Sequence, residues 1–261
     1  MSSGPTLAVI LAAGMGTRLE GLFSDRPKGF IEIEGESLIA RSIRLLQQRG
    51  ISRVLIVVGH LAGVYEAWAQ ERTGVETVLN PAYAETGSMA SLACALEYVE
   101  EDFLLLESDL FYEERALDAL LAGDAPDVLL ASAPTGATDE VWIETDERGL
   151  CGMSKEAEEL NSVFGELVGM VRISHPLARI MSRAYADFVA ERGHGRMAYE
   201  MDALVEASRS RVVEVRLVPD LLWGEVDYES HYLRVRDKVA PLCAPNPGAG
   251  RDLATSDESM E

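Results

Sequence analysis

The sequence predicts an α/β fold: a mostly parallel sheet with helices on both faces, built as a single domain. Short apolar runs rich in β-formers alternate with segments of helical spacing from Leu7 to beyond residue 130. That alternation is the pattern of a parallel sheet covered on both sides. A length of 261 residues, 48% of them hydrophobic and 26% charged, supplies one large core.

The elements follow in order. Leu7 to Leu11 (LAVIL) is a short apolar run before a glycine-rich turn, and reads as a buried strand. Ser37 to Arg49 places Leu38, Ile39, Ile43, Leu45 and Leu46 at helical spacing, and Gly50 supplies the stop. Val54 to Val58 is a second buried strand. Ala62 to Arg72 is helical, Glu76 to Leu79 a short strand, and Met89 to Tyr98 helical. Phe103 to Leu106 is a strand that runs into acidic residues, Glu113 to Ala122 a helix, and Val128 to Ala131 a strand. The rhythm then changes. Glu140 to Thr145 alternates, Leu150 to Ser154 follows a DERG turn, and Val168 to Ile173 is a further strand. Pro176 to Arg192 and Tyr199 to Ala207 are helical, and Val212 to Val218 is a strand. The expected organisation is a flexible start over 1–6 and a domain over 7–240. Residues 7–135 form its first half and 136–240 its second. A Pro-, Gly-, Ser- and acid-rich tail over 241–261 is expected to be disordered.

Composition narrows the function. No apolar run approaches the ~18 residues of a membrane span, and MSSGPT has no signal-peptide character. A cytoplasmic protein is expected, with no membrane partner. Cys94, Cys151 and Cys243 are odd in number and far apart, against a disulfide framework or zinc site. With 44 acidic and 23 basic residues the net charge is −21, which repels nucleic acid. Any phosphate site must therefore be built locally from backbone N–H groups, a few cations and a metal.

The strongest motif follows the first strand: Leu11-Ala12-Ala13-Gly14-Met15-Gly16-Thr17-Arg18, then Pro27-Lys28. Small residues admit a ligand close to the backbone, and successive N–H groups form an anion-binding concavity. Arg18 and Lys28 add cationic donors. Leu19 stands where a dinucleotide-binding loop needs its third glycine, and no Lys-Ser or Lys-Thr follows as a P-loop requires. Glu107-Ser108-Asp109 follows the strand FLLL, so its carboxylates point toward the crevice where such sheets bind ligands. Magnesium takes one or two carboxylates plus phosphate oxygens. Alone, Asp109 reads equally well as a cap or turn residue. In Trp223-Gly224-Glu225-Val226-Asp227, Glu225 and Asp227 share one side of an extended segment. Thr86-Gly87-Ser88, with Ser91, opens a helix with a ready Ser cap.

LAAGMGTRL with DRPKGF resembles the signature of nucleotide-sugar pyrophosphorylase-like nucleotidyltransferases. The chain is most similar to the small CTP-dependent cytidylyltransferases acting on phosphocholine or 2-aminoethylphosphonate. The resemblance spans about Leu7 to Val239. It implies a Rossmann-like, mixed sheet, a nucleotide-binding half over 7–135 and an acceptor-binding half over 136–240, and a loop from Leu11 to Arg18 wrapped round the nucleotide. Thr86, Gly87, Ser88, Ser91 and Glu107 would lie beside that nucleotide. It further implies Lys28 at the α-phosphate, and Mg2+ on Asp109 and Asp227 with Glu225 as an added candidate ligand. Arg18, Lys28, Asp109 and Asp227 are then the catalytic set. Glu20-Gly21-Leu22 and Gly29-Phe30 depart from the family's usual Arg-Pro-Leu and Pro-Leu.

For the acceptor, Trp142, Tyr199 and Trp223 are candidates for an aromatic cage round an amine or quaternary ammonium. Core packing accounts for each of them equally well. Glu140, Glu200 and Asp202 are candidate partners for the same cation, and Lys155 for the acceptor's phosphate or phosphonate. His60, His175, His194 and His231 have no spacing that suggests catalysis and are read as surface or packing residues. The expected activity is CMP transfer from CTP to a small phosphonate or phosphate, releasing pyrophosphate. The expected partners are those two substrates, with room for a homodimer. A sugar- or inositol-1-phosphate nucleotidyltransferase and a non-catalytic nucleotide-binding regulatory module are the alternatives.

Overall fold

Leu7–Ala12 shows why the sheet is covered on both faces. Ala8, Ile10 and Ala12 enter one core while Leu7, Val9 and Leu11 enter the other. All six are buried, as period-two alternation requires of a strand between two helical layers. The computed structural model describes residues 4–19, 26–197 and 199–243, without the side chain of Thr17.

In chain order the strands are β1 (Leu7–Ala12), β2 (Glu32–Ile33), β3 (Glu36–Ser37), β4 (Arg53–Val58), β5 (Val75–Leu79), β6 (Phe103–Glu107) and β7 (Leu110–Tyr112). They continue with β8 (Val128–Ser132), β9 (Trp142–Asp146), β10 (Gly149–Ser154), β11 (Gly165–Ile173), β12 (Glu214–Val218) and β13 (Trp223–Glu225). Nine of them form one mixed sheet whose main path runs β10-β9-β11-β6-β1-β4-β5, with β8 beside β11 and β12 beyond β8. The β5, β4, β1 and β6 ladder is parallel, and so is β8 with β12. β11 runs against β6, β8 and β9. Helices Leu38–Gln48, Ala62–Gln70 and Arg115–Leu121 cover one face. Helices Ser88–Leu96, His175–Arg192 and Glu200–Ser208 cover the other. This is the expected single α/β domain.

One irregularity places the site. β11 changes partner along one edge: its start pairs with β9 through Gly165 and Glu166, and its end with β6 through Met170 to Ile173. β8 lines the opposite edge, with its register shifted between Leu167 and Val171. A cleft opens where β6 has ended and β9 has not yet joined. Gly169, at φ 77°, sits in that gap, and a Cβ there would lie 3.8 Å from the Glu107 carboxyl carbon.

The expected helix from Ser37 starts one residue later, because the Ser37 hydroxyl accepts the Ala40 N–H at 3.4 Å as its cap. Two short pairings went unforeseen, the β2–β3 hairpin and the antiparallel β7–β13 ribbon. After β13 the chain turns helical over Glu229–Arg234, passes through a wider turn over Val235–Val239, and ends in Ala240–Cys243. Pro241, where disorder is expected to begin, therefore lies inside a helix whose first residue, Ala240, is buried. The rest of that tail, 244–261, lies outside the described residues, as do 1–3 of the expected flexible start and the departure at 20–22. Thr6, from the same start, is tied down: its carbonyl accepts the Ser52 N–H at 2.9 Å. All three cysteines are free thiols.

Candidate functional site

The turn after β1 begins at Ala13. Gly16 has φ 64°, a left-handed conformation that side chains resist, and the Lys28 side chain passes 3.3 Å from where its Cβ would stand. The turn then closes in a single 3-10 turn, with the Leu19 N–H donating to the Gly16 carbonyl at 3.0 Å. Arg18 leaves this turn over the ring of Tyr228, 5.3 Å from its centre.

Lys28 reaches inward to two carboxylates from distant parts of the chain. Its ammonium donates to Asp109 Oδ2 at 3.0 Å and to Asp227 Oδ1. Arg18 donates to the other oxygen of Asp227 at 2.6 Å. Burial opposes the charge on Lys28, yet the two aspartates outweigh it and hold the ammonium above its ordinary range. Asp227 experiences the converse: burial pushes it up, but Lys28 and Arg18 hold it below the usual carboxylate range.

Beside this pair lies a carboxylate cluster. The β7–β13 ribbon sets Glu225 opposite Leu110, and the Val226 N–H donates to the Asp109 carbonyl at 3.1 Å. Among the described residues, one oxygen each from Glu107, Asp109 and Glu225 lie within 4.8 Å of one another. Burial, then Glu225, Glu200 and Asp109, pushes Glu107 well above the usual range. Burial, then Asp109 and Asp227, does the same to Glu225. Three crowded carboxylates fit a hard divalent cation, whose preferred ligands are oxygens and whose charge relieves their repulsion. Glu107 thus joins Asp109 and Glu225, while Asp227 is engaged by the two cations.

Two cavities meet here. One, of about 210 Å3, is lined by the expected Leu11, Ala12, Ala13, Gly14, Lys28, Thr86, Gly87, Ser88, Ser91, Glu107 and Asp109. Tyr65, Tyr83 and Tyr199 add aromatic walls. The buried amide of Asn80, which the sequence did not single out, donates to Thr86 at 3.2 Å and to Ser91 at 3.0 Å, fixing that wall. Met15 and Gly16 line a neighbouring depression instead. The second cavity, of about 250 Å3, occupies the cleft beside β11. It holds Arg18, Glu107, Glu225 and Asp227 together with Glu140, Lys155, Tyr199, Asp202 and Trp223. Glu107 and Tyr199 are shared between the cavities.

The expected aromatic cage is brought together only in part, with Tyr199 and Trp223 in the second cavity. Trp142 does not line the second cavity. Trp223 is 5% exposed, with its indole N–H given to Ser132 Oγ at 2.8 Å. Tyr199 has the Lys155 ammonium over its ring at 5.4 Å. Glu200 is buried beneath the wall of the first cavity, where Ser88 donates to it. Sequence reasoning missed Thr135, Asp139, Glu166 and Arg234, and took His231 for a packing residue, although all five line this cavity. No local motif marks them.

A glycine turn at a strand's end, a carboxylate cluster and paired cavities across it define the chain as a nucleotidyltransferase by class. The MobA-like NTP transferase domain matches residues 8–210, and the chain belongs to that family. It is 33% identical over 149 residues to CMP-5'-(3-aminopropyl)phosphonate synthase of Streptomyces rubellomurinus, covering 56% of this chain and 24% of that protein. It is 33% identical over 98 residues to choline-phosphate cytidylyltransferase of Streptococcus pneumoniae, covering 38% of this chain and 42% of that one. The chain thus spans less than half the length of these relatives. In fold it is similar to the inositol-1-phosphate CTP transferase from T. maritima, with a TM-score of 0.75 and 19% identity over 93% of this chain and 96% of that one. Among the described residues no helix is long and apolar enough to cross a membrane.

Proposed function

We propose that this chain is a magnesium-dependent cytidylyltransferase. It transfers CMP from CTP to a small phosphonate or phosphate with a cationic head, 2-aminoethylphosphonate-like or phosphocholine-like, and releases pyrophosphate. The observation that carries the reading is the meeting of two cavities at Lys28, Glu107, Asp109 and Asp227. CTP fills the cavity beside the glycine turn, and the acceptor fills the cavity beside β11. The names of the two curated relatives support the choice of cytidine and of the acceptor class.

The acceptor's phosphonate or phosphate oxygen is already an anion near neutral pH, so it attacks the α-phosphorus without a proton relay. A new P–O bond forms to the acceptor, the bond to the β-phosphate oxygen breaks, and pyrophosphate leaves with the electron pair. The protein aligns the reactants and neutralises charge. Lys28 and Arg18 turn from their aspartates toward the transferring phosphoryl group and the leaving pyrophosphate. Glu107, Asp109, Glu225 and Asp227 are the residues that would hold magnesium, which when bound supplies charge neutralisation at the phosphates.

Pyrophosphate release tests the reading. CTP, UTP, ATP and GTP are each paired with 2-aminoethylphosphonate, phosphocholine, glucose 1-phosphate and inositol 1-phosphate in the presence of Mg2+. Turnover is expected with CTP and a cationic acceptor. Turnover only with a sugar or inositol phosphate rejects the acceptor class. Tight nucleotide binding with no release in any pair points to a regulatory module.

A further inference from the structure

The second cavity has an end that the transfer chemistry leaves unused. There, β11 and the loop from Thr135 to Val141 form the wall. Glu166 is 2% exposed, and its two oxygens accept the Thr135 N–H at 2.5 Å and the Thr135 hydroxyl at 2.9 Å. Each carboxylate oxygen offers two acceptor sites, so these bonds leave capacity unused. Asp139 and Glu140 line the same wall. Buried His231 joins it, with Nε2 3.1 Å from the Ala137 carbonyl oxygen and 3.5 Å from Asp139; its Nδ1 has no hydrogen-bond partner. Arg234 also lines the cavity, but its guanidinium lies 3.4 Å from the Trp223 carbonyl and forms no ion pair with Glu166 among the described residues. A buried carboxylate flanked by two half-buried ones is completed by a cation that donates hydrogen bonds.

A trimethylated ammonium donates none, and proteins hold such groups against open aromatic faces. This cavity offers one open aromatic ring and not a cage: Trp142 is absent from it, Trp223 lines it but is buried and tied to Ser132, and the half-exposed Tyr199 ring has Lys155 over one face. Distance agrees. Glu166 precedes Gly169 by three residues, roughly 10 Å of strand, and Gly169 abuts Glu107. A phosphonate at the carboxylate cluster, a two- or three-carbon chain and an ammonium hydrogen bond of about 2.9 Å together cover a span of that order.

Resting on the function proposed above, we infer that the acceptor carries a primary ammonium rather than a trimethylated one, and that Glu166 is the residue that reads it.

The test compares 2-aminoethylphosphonate with its N,N,N-trimethyl analogue, and phosphoethanolamine with phosphocholine, with ethylphosphonate as the acceptor lacking nitrogen. Pyrophosphate release with CTP is measured on wild type, Glu166→Gln and Glu166→Asp. Wild type is expected to favour each primary amine in kcat/KM by roughly tenfold to a hundredfold. Glu166→Gln raises KM for the primary amines by a similar factor, with kcat, KM for CTP and ethylphosphonate turnover close to wild type. Glu166→Asp restores part of the loss. Equal or better use of the trimethyl acceptors, or an unchanged KM in Glu166→Gln, overturns the inference and leaves cytidylyl transfer standing. No release with any acceptor overturns both. The substrate pairs in wild type decide the matter if Glu166→Gln does not fold.

Discussion

Replacing Glu166 by Gln removes one titrating group and keeps the side-chain shape. Burial, partly offset by the two Thr135 bonds, pushes the Glu166 carboxyl from an ordinary 4.5 up to about 7. The folded chain therefore holds this proton more tightly than the unfolded chain does. No penalty exists below pH 4.5. It accumulates as pH rises through the window from 4.5 to about 7, and is complete above it, where both states are ionised. The full penalty is roughly 3 kcal/mol, about 1.4 kcal/mol for each pH step within the window. Gln has no proton to lose, so the variant escapes the penalty and differs from wild type at acid pH only by an altered bond to Thr135, worth about 1 kcal/mol. Urea unfolding of both proteins in metal-free buffer gives the difference directly, because Glu107 and Glu225 titrate alike in both and cancel. Relative to wild type, Glu166→Gln should gain about 2.5 kcal/mol between pH 5 and pH 8. Parallel stability curves across that range, or a gain toward acid pH, would refute the burial argument for this carboxylate.

Two further outcomes follow from the junction of the cavities. Lys28→Ala should lower turnover by roughly 10²- to 10³-fold, with a cooperative melt retained; Lys28→Arg should not rescue it, because a planar fork replaces a compact ammonium between Asp109 and Asp227. Near-normal pyrophosphate release by a folded Lys28→Ala would remove Lys28 from the mechanism. Mg2+ should add about 2.7 kcal/mol of stability at a hundred times its Kd and so raise the melting temperature. Glu107→Gln with Glu225→Gln should raise the metal-free melting temperature and abolish the Mg2+ response, and a retained response would reject the cluster as a metal site.

How much of this was legible depends on how far apart in sequence the causes lie. β1, β4 and β6 are readable because each is a continuous apolar run, and the glycine turn because Gly14, Gly16, Arg18 and Lys28 lie within one short stretch. Asp109 is readable because it follows a strand that must end at the ligand crevice. The β7–β13 ribbon is not, since Leu110–Tyr112 and Trp223–Glu225 are each only three residues long and more than a hundred apart. Yet that ribbon brings Glu225 to Asp109. The Glu166 wall of the second cavity was hidden for the same reason: Glu166 gains its meaning only from Thr135, which follows β8 and bonds to it across β11. The aromatic cage was only partly legible for a different one. Aromatic type was visible in sequence, but burial of Trp223 and capture of the Tyr199 face by Lys155 are tertiary facts.

The choice of cation also carries information that charge totals conceal. The sequence has only three lysines against an acidic excess that leaves a net charge of −21. Two of them, Lys28 and Lys155, line the cavities. Arginine instead takes the forked surface pairs, such as Arg44 with Glu36 and Arg53 with Glu76. A guanidinium suits a two-pronged pair with one carboxylate; an ammonium is a point charge that fits between two and can turn to a third partner. Lys28 between Asp109 and Asp227 is such a case. Its bonds and that of Arg18 set two cations against two buried carboxylates, and on the proposed reading a phosphate and its counter-cation take these partners over. On the proposed reading, a net-acidic chain gathers a triphosphate locally because Lys28 and Arg18, paired with Asp109 and Asp227, stand where the two cavities meet.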